Sequence, residues 1–172
     1  RGMVGMHGNY APNLLTNECD LLIAIGMRFD DRVTGDLNTY AKQAKIIHLE
    51  LDPAEINKNV KVDVALLADC KVSLQELNKR IKKKSYPDWI ARFDALDKIE
   101  NEKVIQSDLF PTKEGLTMGE SIAMINKHSN NDAVIVTDVG QHQMVACRYA
   151  KFSRSKSNGT FPNLYCQDHK FR

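Results

Sequence analysis

Short apolar runs alternate along this chain with amphipathic stretches, and the alternation predicts its architecture. Four runs have strand length and carry branched residues: 20–25, 45–51, 63–67 and 133–137. Each is nearly continuous in apolar character instead of strictly alternating, which predicts strands buried on both faces of a parallel sheet. Helical patterns lie between them. Residues 13–18 form a short one. Residues 53–59 predict a second, with Asp52 as N-cap, Pro53 at the first helical position and Glu55 completing a capping box. A third covers 72–84, with Leu74, Leu77 and Ile81 on one packed stripe. Strands and helices in turn predict an α/β fold, a parallel sheet flanked by helices.

From Ser85 to about Pro111 the pattern changes. Trp89, Ile90, Phe93, Leu96 and Ile99 keep helical spacing inside strongly charged sequence, which predicts a connector helix laid over a surface. A second α/β unit then begins, with a helix carrying Met118, Ile122 and Ile125 ahead of the strand at 133–137. The expected division is a first domain over 1–84, a connector over 85–110, the start of a second domain over 111–158, and a tail over 159–172. The opening Arg1-Gly2-Met3, with Gly5 and Gly8 close behind, already reads as structured sequence, so the chain is expected to be a fragment.

Composition narrows the function classes. The 172 residues suffice to bury a core, and 24 basic against 22 acidic residues give a net charge of +2, no broad field for nucleic acid or a membrane surface. The cluster from Lys79 to Lys84 reads as the solvated end of a helix. Cys19, Cys70, Cys147 and Cys166 stand far apart, without metal-ligand spacing or a disulfide framework, which fits a reducing, cytoplasmic setting. No run approaches the roughly 20 apolar residues of a membrane span.

Candidate chemistry gathers after the strands. In an open parallel sheet, ligands bind beyond the carboxyl ends, where loops expose backbone donors and helix N-termini. Here the first strand runs into Gly26-Met27-Arg28-Phe29-Asp30-Asp31-Arg32, the second ends in Glu50-Leu51-Asp52, the third in Asp69-Cys70, and the fourth in Asp138-Val139-Gly140-Gln141-His142. Carboxylates suit the vicinal diol of a ribose, and the guanidinium forks of Arg28 and Arg32 suit phosphate or carboxylate. Together they fit an adenine dinucleotide; loop salt bridges and helix caps remain the structural alternative. Gly2, Gly5 and Gly8 lack the spacing of a dinucleotide fingerprint. His48, inside a strand, reads as a hydrogen-bonded core residue.

The stretches "GMHGNYAPN", "CDLLIAIGMRFDDRVTG", "KIIHLELDPAEI" and "TDVGQHQM", in this order, resemble the catalytic large subunit of acetolactate synthase, a thiamine-diphosphate enzyme family that also binds FAD. The resemblance covers residues 1 to about 158. It implies that 1–84 is most of a Rossmann-like central FAD-binding domain and that the thiamine-diphosphate-binding domain begins at 111. It further implies FAD contacts at Met6, His7, Gly26, Arg28, Asp30, Glu50, Leu51, Asp69 and Cys70, with Glu50 standing where an aspartate is usual. Arg32 corresponds to the arginine near the substrate carboxylate, the alternative being an ion pair with Asp31 or Asp36. Gly140, Gln141 and His142 correspond to thiamine-diphosphate ligands, the alternative being a plain helix cap on Asp138.

The implied parent condenses two pyruvates, or pyruvate with 2-oxobutanoate, and releases carbon dioxide. Its small-molecule partners are thus 2-keto acids, and the resemblance implies a homodimer or higher assembly with room for a small regulatory subunit. The family holds Mg2+ with a Gly-Asp-Gly…Asn motif, which does not occur after Gln143, and its activating glutamate has no counterpart here, so no metal ligand or catalytic group is expected in this chain and the chain alone is expected to be inactive. Another carboligase or decarboxylase of the same architecture, such as glyoxylate carboligase, or a non-catalytic nucleotide-binding module, are the alternatives. The tail from Gly159 onward departs from the pattern and is expected to be poorly ordered.

Overall fold

The computed structural model describes residues 1–111, 114–153 and 164–166. Apart from those last three, the tail expected to lack order lies outside the described residues. The chain divides into two compact units, Arg1–Asp97 and Lys98–Arg172, so the division falls inside the stretch expected as a connector.

The first unit is built on three parallel strands, β1 (Leu21–Ile25), β2 (Lys45–Glu50) and β3 (Val64–Leu67), ordered β1-β2-β3. Leu21 pairs with Lys45 and Ile47 with Val64. Asp63 secures the register at the start of the sheet: it accepts from the Ile46 N–H at 2.8 Å and from Lys45 at 3.1 Å. The Ile46 N–H, foremost, holds that carboxyl below its ordinary range.

Because side chains alternate and parallel partners share a face, Leu22, Ala24, Ile46 and His48 point one way and Leu21, Ile23, Ile25, Val64 and Leu66 the other. The first face is the core. Ala24 and Ile46 are buried there with Phe29, Tyr40 and Ala41, and Leu22, Met27, Val60 and Val62 pack around them. Burial pushes the Tyr40 hydroxyl up to about 12, so Tyr40 meets the edge of Phe29 as a neutral ring.

The second face corrects the expectation of strands buried on both sides for the outer strands only: Leu49 of the central strand is buried there, while its neighbours Ile25 and Leu66 are exposed. Ile23 is 46% exposed and Val64 47%, because the loops that pack on the sheet, residues 27–44 and 60–62, lie on the first face. An edge strand with an apolar face and no charge invites self-association. Ile23→Lys is therefore expected to lower the mean mass in sedimentation at high concentration; unchanged profiles would show that this face does not associate.

The helices differ from expectation at their ends. The first, α1 (Tyr10–Thr16), begins three residues before the expected start, and its Ala11 and Leu15 form a second core with Leu96, flanked by Trp89 and Phe93. A four-residue helix, α2 (Asp31–Thr34), follows β1. The helix expected over 53–59 is only a 3-10 turn, Pro53–Glu55: Asp52 caps Ala54, no capping box forms, and Ile56 is already extended. Asn57 then turns left-handed at φ 59, a conformation no helix continues through. Next, α3 (Cys70–Arg80) stops short of Lys82–Lys84 because Ile81 is already extended, and Ile81 is exposed instead of packed. Much of the expected connector is one helix, α4 (Pro87–Glu100), whose Trp89 and Phe93 rings meet edge to face.

In the second unit a π-helical turn, Asn101–Ile105, leads into α5 (Gln106–Leu109). The helix expected near Pro111 is α6 (Met118–His128), set by a capping box between Thr117 and Glu120; Met118 and Ile125 are exposed, and Asn126 is buried. The Asn126 amide donates to the Tyr149 carbonyl at 2.8 Å and accepts from Lys151 N–H at 3.1 Å. That ties α6 to the end of α7 (Gln141–Tyr149). Two short parallel strands, β4 (Ile135–Thr137) and β5 (Leu164–Cys166), complete the unit. No helix among the described residues is long and apolar enough to cross a membrane.

Candidate functional site: a ledge of strand-end loops

Parallel strands in adjacent register deliver their following loops to one edge of the sheet. The backbone shows the convergence: Gly26 N–H donates to the Leu49 carbonyl at 2.9 Å, and Ala68 N–H to the Glu50 carbonyl at 3.2 Å. Arg28, Asp30, Glu50, Leu51, Asp69 and Cys70 thus follow three neighbouring strand ends, with Glu50 central. Gly26 has φ +60 and open space where a Cβ would stand.

The acids on this ledge share one feature. Glu50 holds its own turn, its Oε1 accepting from Leu51 N–H at 2.7 Å and Asp52 N–H at 3.2 Å. Asp69 caps α3, its Oδ1 accepting from Lys71 N–H at 2.9 Å and Val72 N–H at 3.2 Å. Asp30 takes Arg28 on Oδ2 at 3.1 Å, while its buried Oδ1 has no partner. Each carboxylate is held through one oxygen, and among the described residues the other oxygen accepts no hydrogen bond. The capping alternative is therefore correct for half of each group at Glu50 and Asp69, and the remaining oxygens are pre-oriented acceptors.

The glycine-rich loop joins the ledge through Arg32. Met6 N–H donates to the Arg32 carbonyl at 2.7 Å, and the Arg32 guanidinium lies 3.9 Å from Met6 Sδ. Asn13 holds the loop from below, bonding Gly5 N–H at 2.7 Å and Gly5 carbonyl at 2.8 Å. Met6 and His7 are exposed. Arg32 makes no ion pair with Asp31 or Asp36 among the described residues; it edges a cavity of about 290 Å³ also lined by Met6, Asn13, Asn17, Thr34 and Tyr40.

Two residues lie beneath the ledge to which the sequence reading gave no part in the site. Phe29, between Arg28 and Asp30, turns left-handed (φ 53) and is 2% exposed; its carbonyl accepts from Asn59 at 3.0 Å. His48 is fully buried, 5.1 Å from the Phe29 ring, and neither ring nitrogen has a hydrogen bond. The expectation of a hydrogen-bonded core histidine is thus corrected: it is core, but unbonded, because Ala24 and Ala65 beside it in the sheet offer no side-chain acceptor. Such a buried polar group costs about 1–3 kcal/mol. A histidine two residues before a strand-end acid was the available signal.

In the second unit, Gly140, Gln141 and His142 open α7. Gly140 has φ 156, and an added Cβ would stand 2.9 Å from His142 Cε1. Asp138 bonds only to Val139 N–H, at 2.7 Å, and α7 has no side-chain cap. Among the described residues the plain-cap alternative is absent; Gln143 N–H already donates to the Gly140 carbonyl at 3.1 Å, which leaves the amides of Gln141 and His142 for an anion. Among the described residues no three His, Cys, Asp or Glu side chains form a set that could hold a metal ion.

The sequence that builds this sheet and ledge is similar to a known class. The family model described as "Thiamine pyrophosphate enzyme, central domain" matches residues 1–77, the stretch that holds the three-stranded sheet and its ledge. Within that class its relatives are acetolactate synthase large subunits. It is 40% identical over 169 residues to the "Probable acetolactate synthase large subunit" of Methanococcus aeolicus, covering 91% of this chain and 28% of that protein. It is 41% identical over 150 residues to the "Acetolactate synthase large subunit" of Parasynechococcus marenigrum, covering 87% and 24%. Against "Acetolactate synthase 2, chloroplastic" of Zea mays the identity is 39% over 158 residues, covering 90% and 24%. The chain spans about a quarter of the length of these relatives.

Proposed function

We propose that this chain provides the FAD-binding ledge, and the first thiamine-diphosphate contacts, of an acetolactate synthase catalytic subunit. The observation that carries the reading is the row of strand-end carboxylates, each fixed through one oxygen with its second oxygen uncommitted. Glu50 and Asp69 accept the hydroxyls of the dinucleotide, and Asp30, through Oδ2, holds Arg28, which meets its pyrophosphate. Met6, His7, Gly26, Leu51 and Cys70 shape the surface around it. Bound there, FAD serves mainly as structure, since joining two keto acids after decarboxylation involves no net redox change.

Arg32, unpaired beside its cavity, favours the carboxylate of the second keto acid. At α7, Gly140 admits a diphosphate close to the backbone while Gln141 and His142 donate to it. The whole protein joins two pyruvates, or pyruvate and 2-oxobutanoate, as a homodimer or larger assembly. Magnesium enters through no residue described here. The free thiols of Cys19 and Cys70 favour a reducing compartment such as the cytoplasm.

Titrating FAD into the protein and following flavin fluorescence tests the ledge. Saturable binding is expected, weakened about tenfold or more by Asp30→Ala, since hydrogen bonds to a charged acceptor contribute about 1.5–3 kcal/mol. A linear, non-saturating response would overturn the reading.

A further inference from the structure

His48 and Glu50 lie two residues apart on β2 and therefore project from the same face of the sheet. The His48 Nε2 stands 3.7 Å from Glu50 Oε2, just beyond hydrogen-bond length. Oε2 is the oxygen that the turn leaves over, since Oε1 is taken by Leu51 and Asp52. The Glu50 side chain is only 12% exposed, so the imidazole and the turn enclose the carboxylate on two sides. A fully buried ring with two unbonded nitrogens, one facing the single uncommitted oxygen of a central ledge acid, has no packing rationale that phenylalanine would not serve as well.

We propose that His48 is a positioning residue for Glu50: a ribose hydroxyl arriving at Oε2 draws carboxylate and imidazole into a Nε2–H···Oε2 hydrogen bond that fixes the acceptor. This rests on the nucleotide reading of the ledge. Hydrogen bonds in ligand-free sites are often long and tighten in the complex. The glutamate supplies the needed travel, because its extra methylene lets the carboxylate shift while Oε1 stays on the turn. The imidazole is fully buried and packed edge to face with Phe29, so the closing movement belongs to Glu50. The imidazole acts only through that acid; it does not touch the nucleotide.

The test is a double-mutant cycle on FAD affinity, with folding checked by circular dichroism. His48→Phe keeps ring shape and removes the donor; His48→Gln keeps an N–H near the Nε2 position. His48→Phe is expected to weaken FAD about tenfold, the loss of one hydrogen bond to a charged group, and His48→Gln to restore most of it. In a Glu50→Ala background His48→Phe should change nothing further. Nitrogen-15 spectra of the wild-type imidazole should show Nε2–H shifting downfield on FAD addition. Equal losses with and without Glu50, or an imidazole spectrum indifferent to FAD, would overturn the proposal while leaving the ledge intact. Failure of the wild type to bind FAD would instead remove the ledge reading and this proposal with it. Should His48→Phe not fold, the spectrum and His48→Gln decide alone.

Discussion

Phe29→Ala is expected to destabilise the first unit by about 3–5 kcal/mol, the range for deleting a buried phenylalanine side chain. Phe29 is 2% exposed and joins the sheet core to the ledge. Its ring meets Tyr40 with centroids 6.2 Å apart and His48 at 5.1 Å, both edge to face, and its carbonyl is held by Asn59. The alanine variant leaves a cavity between two rings with little freedom to collapse, because His48 is held in β2 and Tyr40 is packed against Ala24 and Ile46. Small domains have only about 5–15 kcal/mol in total, so a large fraction of the stability goes. Urea denaturation followed by far-ultraviolet circular dichroism measures it. Phe29→Leu, which refills most of the space, should recover much of the loss. A change under about 1 kcal/mol for Phe29→Ala would mean that the residue does not anchor the loop.

That anchor shows where sequence and structure part. The three strands of the first unit were legible from branched apolar runs, and so was the gathering of Arg28, Asp30, Glu50 and Asp69 after them, because parallel strands send their loops to one edge. What escaped was set by interactions between distant residues. Apolar continuity in β1 predicts two covered faces, yet which face receives the 27–44 loops depends on Phe29 and Tyr40 folding back. The Pro53 turn carries start signals of a helix, but the extended Ile56 ends it and the left-handed Asn57 follows, and a start signal says nothing about length. The capping box of Thr117 and Glu120, a signal the sequence reading did not use, starts α6 at Met118, the first apolar position of the expected stripe. For Glu50 and Asp69, sequence offered cap or ligand as rivals. The structure shows one oxygen of each doing the first task, a division no residue letter encodes.

Gly8→Ala should act on the ledge more than on the fold. Its Cβ would stand 2.3 Å from the Met3 carbonyl oxygen, 2.7 Å from Val4 C and 2.9 Å from Met3 C, all backbone, so no side chain can rotate to relieve the overlap. The loop is closed at that point by Gly8 N–H to the Gly5 carbonyl and Asn9 N–H to the Met3 carbonyl, each 2.8 Å. Opening it to admit a methyl pulls on Met6 N–H, whose bond to the Arg32 carbonyl joins this loop to α2. Met6, His7 and Arg32 then shift together. FAD affinity is expected to fall about 30-fold, equivalent to about 2 kcal/mol, within the range for overpacking a close contact. Gly26→Ala is the informative comparison, since its added carbon meets nothing within 4 Å and only the φ of +60 opposes it. That strain is about 1–2 kcal/mol and falls on the backbone after β1, so it should register chiefly in the urea midpoint. If instead Gly8→Ala bound FAD as tightly as the wild type, the glycine-rich loop would lie outside the nucleotide site, and the ledge would consist of the three strand ends alone.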